Sequence, residues 1–131
     1  MSVPHIPCLR LGEPYVSLNQ SEVTDYRDGA LKATLSQVNA GVIRRDLKCI
    51  EEARTALRSF STEELINVGA KAGEIFLHGE VPIGAEGETH SPDQYVETLS
   101  STSGLPHVMV RRNMDKIHYA LTHMEVVLNG L

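Results

Sequence analysis

Six histidines, His5, His78, His90, His107, His118 and His123, are the residues of this chain best able to ligate a metal or move a proton. His118 and His123 stand five apart, a spacing that turns them away from a common helix face. No HExxH occurs, and no two histidines are spaced i, i+4. The spacing therefore predicts no metal ligand, and the histidines read as surface or boundary residues. Cys8 and Cys49 lack a CxxC partner, so neither zinc nor a redox pair is indicated, and a structural disulfide is not expected. Cys49 falls beside Ile50 in a helical pattern, where a cysteine is most often a small hydrophobe, whereas a nucleophile needs a turn or a cationic neighbour. Cys8 lies in the N-terminal lead-in and is no better placed.

Gly41, Gly69, Gly73, Gly84 and Gly87 could admit a phosphate, yet they fit neither GxGxxG after a strand nor GxxxxGK[ST]. The polar run Ser100-Ser101-Thr102-Ser103 has no GxSxG elbow and reads as a helix end. Arg111-Arg112 beside His107 could attract an anion, although solvated surface is the commoner arrangement. Met114 and Met124 share an apolar seam, which favours packing over a promiscuous groove. No catalytic residue and no metal ligand is expected, and cofactor-binding residues are unknown.

The elements that carry these residues follow from turn and periodicity signals. Residues 1–14, with their prolines and glycine, predict an extended or irregular lead-in. Short β-prone stretches cover Tyr15 to Leu18 and Glu22 to Tyr26, and Lys32 to Ser36 pairs with the second across Arg27-Asp28-Gly29-Ala30. Asp-Gly supplies the positive φ of a tight turn, so a hairpin is predicted over 22–36. Asn39 caps a helix over about 40–58, with Ile43, Leu47, Ile50, Ala53 and Leu57 on one stripe. Ser61 and Glu64 form a capping box opening a helix over 62–78, and Gly79 stops it. Residues 80–90 read as a surface loop. Ser91-Pro92-Asp93-Gln94 starts a helix over 92–102 that Ser103-Gly104 breaks, and Pro106 opens the longest helix, over 106–129. Its seam is Val110, Met114, Ile117, Leu121, Met124 and Leu128.

The chain has 131 residues, 41% of them apolar, with a formal charge of -5 and acids and bases interspersed. That length suffices for one domain, and the charge pattern argues against a nucleic-acid surface. No apolar run approaches the ~18 residues a membrane span needs, and the N-terminus lacks the basic start and apolar stretch of a secretory signal. A cytoplasmic location is the expectation. The fold class expected is mainly α with an N-terminal β-hairpin, α+β in isolation.

The linear layout carries a resemblance. Asp28-Gly29 in the turn, Ala33-Thr34-Leu35 in the following strand and Glu52-Ala53-Arg54-Thr55-Ala56-Leu57 at the end of the capped helix resemble the opening of an aldehyde dehydrogenase. The next helix, FSTEELINVGAKAGEIF, and the segment LSSTSGLPHVMVRRNMDKIHYALTHMEVVLNGL continue it as a divergent branch, over about Leu11 to Leu131. The resemblance implies that residues 15–131 are the N-terminal segment of a cofactor-binding α/β domain and form its outer part. It implies NAD or NADP as cofactor of the complete protein. The superfamily's cysteine nucleophile, glutamate base, oxyanion asparagine and Gly-rich cofactor loop would all lie beyond Leu131, so no catalytic role passes to a residue here. The implied partner is the remainder of a dehydrogenase chain or a complementary subunit. Self-association is also expected, since the seam from Val110 to Leu128 would lack its cover in isolation. A free-standing helical module for protein interaction or oligomerisation is the other reading.

Overall fold

The computed structural model describes residues 3–83 and 87–130. Gly84, one of the glycines considered above, lies outside the described residues. The chain mixes helices with small sheets and divides into two compact units: Met1–Ser59 with Ile83–Glu88, and Phe60–Pro82 with Thr89–Leu131. Among the described residues, no helix is long and apolar enough to cross a membrane.

In the first unit the lead-in is built into strands: β1 His5–Ile6, β2 Cys8–Arg10 and β3 Glu13–Tyr15. β2 and β3 form their own hairpin, turning at Leu11 (φ 52°) and Gly12 (φ 88°). The expected hairpin is present as β4 Gln20–Thr24 and β5 Leu31–Ser36, with a register irregularity at Val23/Thr24. Two paired strands are marginal alone. Here β1 adds to β5 in parallel, pairing His5 with Thr34 and Ile6 with Leu35 in a sheet of order β1-β5-β4. Residues 15–18, expected as a strand, contribute only Tyr15, at the end of β3.

Asp25, not the Asp-Gly pair alone, organises the turn. Its buried carboxylate accepts from the Arg27 amide at 3.0 Å and from the Arg27 guanidinium at 2.8 and 3.0 Å, and it lies 3.4 Å from Lys32 Nζ. Gly29 supplies one positive φ, 74°. The Asp28 carboxylate accepts from the Ala30 amide. The loop between the strands is therefore wider than a two-residue turn.

Hydrogen bonds from Arg27 and the nearby Lys32 ammonium hold the Asp25 carboxyl far below its ordinary value of 3.8. A depressed acid stabilises the fold fully above its unfolded pKa, and that contribution is lost as the pH falls through the folded one. Asp25→Asn is accordingly expected to lower the melting temperature at neutral pH. The gap from the parent should narrow as the pH drops below about 3.8. Melting curves of both proteins across the acid range check this, and a gap independent of pH would contradict it.

The helix expected over 40–58 is interrupted: α1 Ala40–Asp46, one 3-10 turn at Leu47–Cys49, then α2 Ile50–Arg58. Asn39 caps it through its side-chain oxygen on the Val42 amide, 3.0 Å away. At the end of α1, Asp46 is gripped by the Arg10 guanidinium of β2, with one contact at 2.7 Å.

In the second unit, α3 Thr62–His78 runs between the Ser61/Glu64 capping box and Gly79. The 80–90 stretch, expected as a loop, contains β6 Val81–Ile83 and β7 Glu88–His90, paired as a ribbon. α4 Pro92–Ser103 carries the Ser91/Gln94 capping box and ends at Gly104, whose left-handed φ of 77° a side chain would resist. The single helix expected over 106–129 is two, α5 His107–Thr122 and α6 Met124–Asn129. They part at His123, whose backbone (φ -115°, ψ 18°) leaves the helical region. Its ring stacks on Tyr119 with centroids 3.9 Å apart, and Nδ1 lies 2.9 Å from the Tyr119 carbonyl oxygen.

The core of this unit is Val96, Val110 and Met114, bordered by Phe76, Leu77, Tyr95, Leu99 and Leu105. Phe76 and Tyr95 meet edge to face with centroids 5.3 Å apart. The seam of the last helices is covered unevenly. Val110 and Met114 are buried, Leu121 is half-buried, and Ile117, Met124 and Leu128 are exposed.

Candidate functional site

Along α3, Gly69 and Gly73 lie one turn apart and form a smooth strip facing the last helices. A Cβ at Gly73 would sit 3.1 Å from Leu121 Cβ and 3.6 Å from the His118 carbonyl oxygen; one at Gly69 would sit 3.0 Å from Met124 Sδ. Hydrogen at these positions lets the α5 backbone come close to α3. The next residue, Glu74, and His78 one turn later then project beside His118 of α5.

These three side chains form the one group of potential metal ligands among the described residues, with one donor atom from each lying within 4.8 Å of the others. His118 Nε2 is 2.7 Å from Glu74 Oε1, and His78 Nε2 is 4.0 Å from Glu74 Oε2. The two imidazoles meet edge on, centroids 5.8 Å apart. The His118 hydrogen bond lowers the Glu74 carboxyl below its usual value. His118 is half-buried, while Glu74 and His78 face solvent. The sequence signal for this trio is the i, i+4 pair Glu74/His78 within EIFLH. A search restricted to pairs of histidines passes over it, and His118 is 44 residues from Glu74.

The remaining histidines are held in other ways. His107 lies 3.4 Å from Glu97, and Arg111 pairs with Asp93 at 2.9 Å. Acids of α4 thus occupy the place where an anion was considered. His90 Nε2 lies 3.3 Å from the Thr98 hydroxyl. His5 spans Thr34 Oγ1 at 2.8 Å and Ser36 Oγ at 2.9 Å. Ser36 Oγ also accepts the Ser17 amide at 2.9 Å, and Cys8 Sγ donates to the Ser36 carbonyl. A serine hydroxyl beside an imidazole resembles a nucleophile and its base, but Ser36 is buried and its oxygen is engaged by a backbone amide. The cluster ties β1 to β5.

Cys8 and Cys49 are free thiols, both partly buried. The Ser100–Ser103 run closes α4, with Ser101 Oγ on the Thr98 carbonyl and the Ser100 carbonyl accepting from Gly104.

Among the described residues, the passage from β5 to α1 does not fit a dinucleotide. The strand-to-helix passage from β5 to α1 has no Gly-x-Gly, and the Asn39 side chain already occupies an amide at the start of α1. The other prominent surface is apolar. Ile43, Leu47, Ile50 and Leu57, on the stripe of α1, the 3-10 turn and α2, are 46–57% exposed, and no residue of these elements is buried. No family model, curated protein or solved structure matches the chain.

Proposed function

We propose that this chain is the N-terminal portion of an NAD(P)-dependent aldehyde dehydrogenase-like oxidoreductase, where it supports the cofactor-binding body from outside and contributes no catalytic group. The residues that resemble that superfamily, from Asp28-Gly29 through Leu57, suggest the reading. The observation that carries it is the apolar stripe Ile43, Leu47, Ile50 and Leu57, presented to solvent across α1, the 3-10 turn and α2. Completing the burial of four such half-exposed side chains is worth about 1 kcal/mol each, so a cover over them adds a sizeable fraction of a domain's stability. Hydride transfer between an aldehyde, or an acyl thioester, and NAD(P) would take place in the remainder of the protein. A helical module for protein interaction or oligomerisation would use the same stripe.

The test expresses the complete open reading frame beside residues 1–131 alone. Turnover of NAD(P)H or NAD(P)+ with aldehydes is expected from the former and none from the latter. The isolated chain is expected to self-associate, with a melting temperature that rises with concentration, and the double substitution Ile50→Gln/Leu57→Gln should reduce that dependence. An open reading frame that ends at Leu131 would favour a split subunit or the interaction module. A sharp melt of a monomer, independent of concentration, would overturn both readings of the stripe.

A further inference from the structure

We propose that Glu74, His78 and His118 form a divalent-cation site, with zinc the best-matched ion, that braces α3 to α5. Two imidazole nitrogens and a carboxylate are the donor set that borderline cations such as zinc prefer over magnesium or calcium. Tetrahedral coordination with bonds of about 2.0–2.1 Å places ligand atoms roughly 3.3 Å apart. His118 Nε2 lies 2.7 Å from Glu74 Oε1 and His78 Nε2 lies 4.0 Å from Glu74 Oε2, and one donor from each residue lies within 4.8 Å of the others, so the set closes on an ion by drawing its donors together. Glu74 and His78 face solvent, so their side chains are free to make the adjustment by torsion.

The frame behind the ligands is firm. Gly73 brings α3 against Leu121 and the His118 carbonyl, so two ligands from one helix and one from the other arise beside a close approach of α3 and α5. Three protein donors leave a fourth position for water or an outside ligand. The pair His118–Glu74 alone would account for one hydrogen bond. It does not account for His78, whose ring comes from the next turn of α3 to lie beside the same carboxylate and imidazole.

The experiment uses the full chain, stripped with a chelator, and titrated with zinc against a chromophoric competitor and with cobalt(II) by visible absorption. Cys8→Ser/Cys49→Ser serves as background, so that thiolates cannot supply the signal. One equivalent of zinc is expected to bind saturably, to give the intense visible bands of four-coordinate cobalt on substitution, and to raise the melting temperature. His78→Ala, at an exposed position, should weaken binding at least tenfold. His118→Ala should do so more strongly, and Glu74→Gln should also weaken it. Failure to bind one saturable equivalent, or affinity unchanged in His78→Ala, overturns the proposal. Neither outcome depends on dehydrogenase activity, so this site and the proposed function stand or fall separately.

Discussion

Met114→Ala is expected to lower the free energy of unfolding of the 60–130 region by about 2–5 kcal/mol, the usual range for truncating a buried methionine to alanine. Met114 is 2% exposed and sits with Val96 and Val110 at the only fully buried apolar cluster among the described residues. The region has few other large buried side chains to offset the loss, so a marginal fold would be left partly unfolded at room temperature. Met124→Ala, on the same seam by periodicity but 37% exposed, is expected to cost less than half as much. Urea titrations of the two variants, with m-values checked for constancy, make the comparison. Equal losses would mean that the seam is buried along its whole length.

Gly73→Ala and Gly69→Ala are expected to differ in sign. Each gains about 1 kcal/mol of helix propensity. At Gly73 the new methyl would press on Leu121 Cβ, an atom fixed to the backbone, with the His118 carbonyl behind it. α5 must then shift, and overpacking of this kind typically costs about 1–3 kcal/mol, enough to make the variant less stable than the parent. At Gly69 the nearest atom is Met124 Sδ, the far end of a flexible side chain that can rotate aside. Gly69→Ala should therefore be neutral or stabilising by up to about 1 kcal/mol. Thermal melts of both variants decide it, and stabilisation by Gly73→Ala would show that the helices tolerate a wider spacing. Displacing α5 would also move His118 from Glu74, so weakened metal binding should accompany the Gly73 variant alone.

What could be read from the sequence was mostly local. Ser61 with Glu64 and Ser91 with Gln94 mark helix starts because each pair satisfies amides within one turn, and the structure forms both boxes. Asp28-Gly29 marks a reversal because glycine alone enters a left-handed φ without cost. What the sequence concealed depends on distant partners. β1 is two residues long and owes its existence to the edge of β5. The interruption at His123 comes where its ring stacks on Tyr119 and its Nδ1 lies 2.9 Å from the Tyr119 carbonyl oxygen, side-chain contacts that an unbroken apolar period does not register. The Glu74, His78 and His118 trio needed two helices brought together over glycines, and spacing within one helix announces at most two of its members.

The break at His123 has a consequence for the segment that follows. α6 has six residues, far fewer than the dozen or more that a helix needs to persist by itself in water. Its coiling therefore depends on packing against its neighbours α3 and α5, with Met124 lying over Gly69. The end of the described chain behaves as a latch: amides there should exchange with solvent well before the rest of the bundle opens.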